Sequence, residues 1–191
     1  VPVDVRPGRN APSRFFESHL DAILATRKLG PVLDLACGSG RHALALAEHP
    51  LRIVALDRNH ESLSVLEKAA RQLPGSIEIC EADLETGTPP RLEAAPFGAV
   101  LVFRYLYRPL MPWITQLLAP GGLLLYETFT VAQRNLGWGP QRDAFLLEPG
   151  ELPGLFPDLE ILVYEEGRTL DQPPAETARL LARRPTARSR G

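Results

Sequence analysis

The segment Pro31-Val-Leu-Asp-Leu-Ala-Cys-Gly-Ser-Gly-Arg41 decides the fold. Its first half is a short apolar run, long enough for a buried strand, with one acid, Asp34, inside it. Its second half is a glycine turn that opens into Arg41 to Glu48, an Ala/Leu-rich stretch that reads as a helix. Strand, glycine turn and helix in that order form the first unit of a parallel α/β sheet.

The same unit recurs downstream. Arg52-Ile-Val-Ala-Leu-Asp57 is a second buried strand closed by an acid, and Asn59 is placed to cap the helix that follows. That helix carries Leu63, Leu66, Ala70 and Leu73 at three- and four-residue spacings, and Pro74-Gly75 ends it. Ser76 to Cys80 is a third strand, Ala99 to Phe103 a fourth, Pro109 to Leu118 a helix and Leu123 to Tyr126 a fifth strand after the turn Pro120-Gly-Gly122. Continuous apolar runs of this kind suit strands buried on both faces. Upstream, Arg14 to Leu29 reads as one helix with Phe15, Phe16, Leu20, Ile23 and Leu24 able to share a side. After Thr130 the pattern breaks into a Gly/Pro-rich insertion, 131–157, expected to lie over the acceptor site. Leu159 to Glu165 and Thr177 to Arg183 then follow with no helix between them, which predicts an antiparallel hairpin at one sheet edge. The expectation is a single α/β domain over 1–191: a doubly wound, mostly parallel, seven-stranded sheet with an antiparallel C-terminal hairpin. A loose arm at 1–12 and a basic tail at 185–191, which holds Arg188 and Arg190, flank it.

Ligands of such sheets bind beyond the carboxyl ends of the strands, where the strand order reverses. Three segments are predicted to meet there. Gly38 and Gly40 lack a Cβ, so the backbone can turn tightly and approach a ligand. Asp57, 23 residues beyond Asp34, can accept hydrogen bonds from both hydroxyls of a ribose. Asp83 can accept from an adenine amino group while the Leu84 amide addresses a ring nitrogen. Gly38-Ser-Gly40-Arg-His-Ala43 also satisfies the G-x-G-x-x-A pattern of dinucleotide-binding folds, so an NAD-dependent dehydrogenase is a rival. Against it stand the acid on the first strand, the second acid at Asp83, and the absence of a second dinucleotide-binding half.

The blocks Asp34-Leu-Ala-Cys-Gly-Ser-Gly40-Arg, Ala55-Leu-Asp57 and Ala82-Asp83-Leu84 resemble the donor-binding motifs of class I S-adenosylmethionine-dependent methyltransferases. The resemblance runs from about Ser13 to the closing hairpin. Phe103-Arg-Tyr-Leu-Tyr-Arg-Pro109 and Tyr126-Glu-Thr-Phe-Thr130 look like the small tellurite-resistance-type branch. The resemblance implies a Rossmann-like methyltransferase with S-adenosyl-L-methionine as cofactor and Asp34, Ala36, Cys37, Gly38, Gly40, Asp57, Arg58, Asp83, Leu84 and Phe103 at its site. Ala36 stands where many family members have the first glycine.

The transferred methyl sits on a sulfonium, so positioning and desolvation can supply most of the catalysis. A hydroxyl or amine acceptor also needs a base or a steering hydrogen bond. Arg104, Tyr105 and Glu127 are the residues expected at the acceptor. Arg104 can attract an anion or hold the donor's carboxylate, Tyr105 can stack on adenine or aim the nucleophile, and Glu127 can be a base or simply Arg104's partner. Arg14 and Arg108 read as surface or salt-bridged arginines, Phe15 and Phe16 as packing residues, and Trp138 as a lid or a domain-edge contact. Cys37 reads as a small filler. The histidines His19, His42, His49 and His60 read as surface or capping residues, and no metal site is expected.

A net charge of −2 argues against binding to nucleic acid by bulk charge. The motif that methylates flipped bases is absent, yet a nucleic-acid methyltransferase stays open as an alternative, as does a donor-binding protein without turnover. The acceptor is expected to be a small molecule bearing a thiol, metalloid anion, hydroxyl or amine. Two cysteines make no disulfide framework, and no stretch reads as a secretory leader or membrane span, so a cytoplasmic monomer or homodimer is expected.

Overall fold

The computed structural model describes residues 11–186, so the expected arm and tail fall almost wholly outside the described residues. The chain runs through α1 (Arg14–Ser18), α2 (Leu20–Ala25), β1 (Val32–Leu35), α3 (Arg41–Ala47), β2 (Arg52–Asp57), α4 (His60–Ala70) and β3 (Ser76–Glu81). It continues through β4 (Phe97–Phe103), α5 (Met111–Leu117), β5 (Leu118–Phe129), α6 (Glu151–Gly154), β6 (Glu160–Arg168) and β7 (Glu176–Arg183). The strands form one seven-stranded sheet in the order β3-β2-β1-β4-β5-β7-β6. β1 to β5 are parallel, and β7 runs antiparallel to both β5 and β6. The strand order reverses between β1 and β4, which puts the crevice of a doubly wound sheet at their carboxyl ends.

β1 and β4 are buried at every residue because helices cover both faces. On one face Phe16 and Ile23, Ala43 and Leu46 of α3, and Leu66 of α4 pack against Val32, Ile53, Leu101 and Leu125. On the other, Met111, Ile114 and Leu117 of α5 join Leu152 and Phe156 against Leu33, Leu56, Val102 and Leu124. Among the described residues no helix is long and apolar enough to cross a membrane.

Two details differ from expectation. The first helix is broken at His19, because the Phe15 carbonyl is taken by the Ser18 hydroxyl (3.0 Å) and the His19 ring (2.8 Å) while the His19 amide turns to Phe16 O. Pro120-Gly-Gly122 is not a turn before the fifth strand but a bulge inside it. The register jumps from Phe97↔Leu118 to Ala99↔Leu123, and Gly121 N–H and Gly122 O bond the backbone of Arg184 at 2.8 and 2.9 Å.

Gly40 is held at φ +75°, and a Cβ there would lie 2.5 Å from Cδ1 of the fully buried Leu66. Gly40→Ala therefore combines left-handed backbone strain with overpacking, and should lower stability by about 1–3 kcal/mol. Chemical denaturation measures this; an unchanged midpoint contradicts the packing described.

Candidate functional site

The loop after β1 is built on positive φ angles: Ala36 at 55°, Gly38 at 56° and Gly40 at 75°. It is fastened to β2 by Cys37 N–H donating to Leu56 O (3.0 Å) and Gly38 N–H donating to Asp57 Oδ2 (2.7 Å). Asp57 Oδ1 in turn accepts Asn59 N–H at 2.8 Å. The carboxylate is thus fixed by one amide on each oxygen, and each oxygen retains capacity for a further bond.

Asp57 stands at the rim of a cavity of about 310 Å³. Ala36, Arg58, Asp83 and Leu84 share the lining with it, and Arg104, Tyr105 and Leu106 enter from the end of β4. Asp83 Oδ1 accepts the Glu85 amide (2.9 Å), which turns the chain at the cavity wall. Arg58 reaches to 4.0 Å from Asp83. Ala36 and Arg104 (φ 57°) are the non-glycine residues with positive φ among those described, and both line this cavity. Backbone held in that region outside glycine costs on the order of 1–3 kcal/mol and clusters at functional sites.

The insertion closes the cavity with Pro140 and Phe145, beside Phe129 at the end of β5. Arg108 secures it: its guanidinium meets Glu151 at 2.5 and 2.8 Å and also donates to Leu146 O at 2.9 Å. Tyr126, fully buried, donates its hydroxyl to Tyr105 O at 2.9 Å and holds the post-β4 loop from below. Trp138 packs edge-on against Phe129 at 5.7 Å, and the Arg104 guanidinium lies 5.9 Å from the Trp138 ring and 6.0 Å from Phe129. Gln133 stitches this corner, donating to Trp138 O (2.9 Å) and accepting from Glu176 N–H (2.8 Å).

Strand alternation turns Asp34, Phe103 and Glu127 to the face covered by α1 and α3. Asp34 is 2% exposed and accepts the Ala43 amide at 3.0 Å in the first turn of α3. Burial pushes its carboxyl up to about 7, against the opposing pull of that amide and of Arg41. Glu127, 1% exposed, accepts the Ser13 hydroxyl at 2.8 Å, and burial raises its carboxyl too. Burial, with Arg104 second, brings Arg41 down to about 10. His42 is no surface residue: it is 2% exposed, stacks 3.9 Å from Phe103 and accepts the Ser13 amide on Nε2. Desolvation pushes its pKa well below the usual value, so it is neutral.

Of the residues singled out in the sequence, Ala36, Asp57, Arg58, Asp83, Leu84, Arg104 and Tyr105 come together around the cavity. Gly38 borders it through its bond to Asp57, whereas Gly40 abuts Leu66. Asp34 and Phe103 lie in the layer behind, and Cys37, its thiol pushed up by burial, packs with that core. Glu127 lines a different cavity, next to α1. Arg108 is salt-bridged and Trp138 packs at the domain edge. Ser13, Arg41, His42 and Gln133 were not anticipated at the site. His42 had a signal in its four-residue spacing to Leu46 on the buried side of α3; Gln133 had none. Among the described residues no group of His, Cys, Asp and Glu is arranged to hold a metal ion.

A family described as a methyltransferase domain matches residues 32–122. The chain is 31% identical over 131 residues to a ribosomal protein L11 methyltransferase from Sorangium cellulosum, covering 67% of this chain and 40% of that one. It spans less than half the length of the curated relatives it matches. Among solved structures, a SAM-dependent methyltransferase from Methanosarcina mazei superposes with TM-score 0.70 at 16% identity, covering 92% of this chain and 99% of that one. TehB from Haemophilus influenzae gives TM-score 0.66 at 21% identity, covering 87% and 62%. At those identities the structures speak for the fold.

Because the folded-state pKa of Asp34 lies above its ordinary 3.8, its contribution to stability is complete below about pH 4 and is lost as pH rises through about 7. Asp34→Asn keeps an acceptor for Ala43 N–H and removes that titration. The variant should gain stability relative to the wild type as pH rises from about 4 to about 7 and keep that gain above it, read from urea midpoints. Parallel pH dependence in both proteins contradicts the assignment.

Proposed function

We propose that the chain is a class I S-adenosylmethionine-dependent methyltransferase that transfers a methyl group from S-adenosyl-L-methionine to a small-molecule acceptor, a reading supported by the methyltransferase-domain match over residues 32–122 and the 31% identity to a ribosomal protein L11 methyltransferase. The observation that carries the proposal is Asp57, held by Gly38 and Asn59 amides at the cavity rim with acceptor capacity left on both oxygens. Two vicinal ribose hydroxyls are the donors that such a carboxylate fits. Asp83 and the Leu84 amide supply an acceptor and a donor for the adenine edge, and Tyr105 with Leu106 offers apolar surface to the ring. Gly38 and the positive-φ backbone at Ala36 let the loop pass close to the donor.

When bound, the donor supplies a methyl group on a sulfonium, already activated for displacement. What the protein adds is placement and exclusion of water. Phe129, Pro140 and Phe145 shield the cavity, and the Arg108–Glu151 clamp keeps that cover in place. Arg104, in its left-handed backbone conformation and beside Trp138, presents a positive charge at the cavity wall, suited to a carboxylate of the donor. The free thiols Cys37 and Cys80 fit a reducing, cytoplasmic setting.

Asp57→Ala should weaken S-adenosylhomocysteine binding by about 10- to 150-fold, the equivalent of roughly 1.5–3 kcal/mol for a lost charge-assisted hydrogen bond. Isothermal titration of wild type and variant, with unfolding midpoints as a control, measures it. A folded variant with undiminished affinity would remove Asp57 from the donor site.

A further inference from the structure

A second cavity, of about 380 Å³, lies between α1, β5 and the β6–β7 hairpin. Given the methyltransferase reading above, we propose that it is the acceptor's site and that it selects a small amine that also carries an anionic group. Its charged lining is mixed: Arg14, Glu127, Glu165, Arg168, Asp171 and Arg179. Three of these are satisfied inside the protein. Arg179 pairs with Glu165 at 3.3 Å, and Arg168 pairs at 2.9 Å with Glu176, which lies outside the lining. Among the described residues, Glu127 beyond its Ser13 bond, Asp171 beyond the Arg14 amide, and the Arg14 guanidinium are left to meet a ligand. Asp171 is held beside α1 by accepting the Arg14 backbone amide at 3.1 Å. Two carboxylates suit an ammonium, and the Arg14 guanidinium suits a carboxylate or sulfonate several ångströms away. A lone oxyanion would meet the carboxylates, and a neutral phenol or thiol would leave the charges unmatched. The volume suits a small molecule.

Position ties this cavity to the first. Arg104, which lines the donor cavity, donates its backbone N–H at 2.7 Å to the carbonyl of Glu127, which lines the second. The Glu127 carboxylate is fixed by the Ser13 hydroxyl, itself the cap of α1. Asp171 acts on Glu127 electrostatically against Arg41 and Arg104, so an ammonium entering there meets charges of both signs. Burial raises the Glu127 carboxyl toward the range of the amine it faces and narrows the gap for proton transfer. The acceptor's ammonium gives one proton to the Glu127 carboxylate. The freed lone pair forms the N–C bond as the S–CH₃ bond breaks. The bonding pair goes to sulfur, and the products are an N-methylammonium and a neutral thioether.

The test uses the full chain saturated with S-adenosylhomocysteine and ligand-observed NMR. The probes are the twenty L-amino acids, β-alanine and taurine, with the matching amines, deaminated acids and amino-acid amides as controls. At least one zwitterion should bind, and its amine-only, acid-only and amide counterparts should bind at least tenfold more weakly. Glu127→Gln and Arg14→Gln should each weaken that zwitterion tenfold or more, with S-adenosylhomocysteine titrated in parallel to confirm an intact donor site. If no zwitterion binds, if an acid or amine alone binds as tightly, or if both variants bind the zwitterion normally, the proposal is wrong. Failure of S-adenosylhomocysteine itself to bind the wild type would instead overturn the methyltransferase reading.

Discussion

The carboxylate of Asp57 ties together the turns that follow β1 and β2. It takes the Gly38 amide from the turn after β1 and the Asn59 amide from the turn after β2, at 2.7 and 2.8 Å. Both turns follow adjacent parallel strands, so this one side chain fixes the mouth of the crevice. The arrangement depends on backbone that bends out of the ordinary allowed regions. Ala36, Gly38 and Gly40 all have positive φ, and Gly40 lets the turn rest on Leu66 where any side chain would collide. The donor cavity, the cap on α3 and the start of α4 follow from that bend.

Behind the mouth lies a layer of buried titratable groups. Asp34, Arg41, His42 and Glu127 sit on the face covered by α1 and α3, each shifted by burial away from its charged form. Ser13 joins them, giving its amide to His42 and its hydroxyl to Glu127. Such groups disfavour folding in proportion to their desolvation, and a purely structural helix–sheet contact would be built from apolar side chains. Of the four, Glu127 lines the second cavity, and Asp34 and His42 pack behind it, against α3 and Phe103 respectively.

The centre of the sheet was legible in the sequence because β1, β2 and β4 are written in nearly continuous apolar runs, and the residues at or just past the ends of β1 to β4, Ala36, Asp57, Asp83 and Arg104, all line the first cavity. Asn59 was legible as a cap, and the closing hairpin was legible from the missing helix between its strands. The broken first helix was not, because Ser18 and His19 compete for the Phe15 carbonyl through side chains that look helical in a window. Nor was the bulge at Pro120 to Gly122, whose backbone partner, Arg184, comes more than sixty residues later. His42, read as a surface or capping residue, is buried: its four-residue spacing to Leu46 was the one sequence signal, and the stacked Phe103 and the Ser13 amide are its partners. That Glu127 lines a different cavity from Arg104 and Tyr105 depends on strand alternation and on the hairpin loop together.

The central claim is that the mouth of the crevice holds a mononucleoside sulfur compound, and not a dinucleotide as the G-x-G-x-x-A pattern of Gly38 to Ala43 also permits. Calorimetric titration of the full chain with S-adenosylhomocysteine and, separately, with NAD decides between them most directly. The account predicts micromolar binding of S-adenosylhomocysteine and no heat from NAD. Binding of NAD with none of S-adenosylhomocysteine would contradict it.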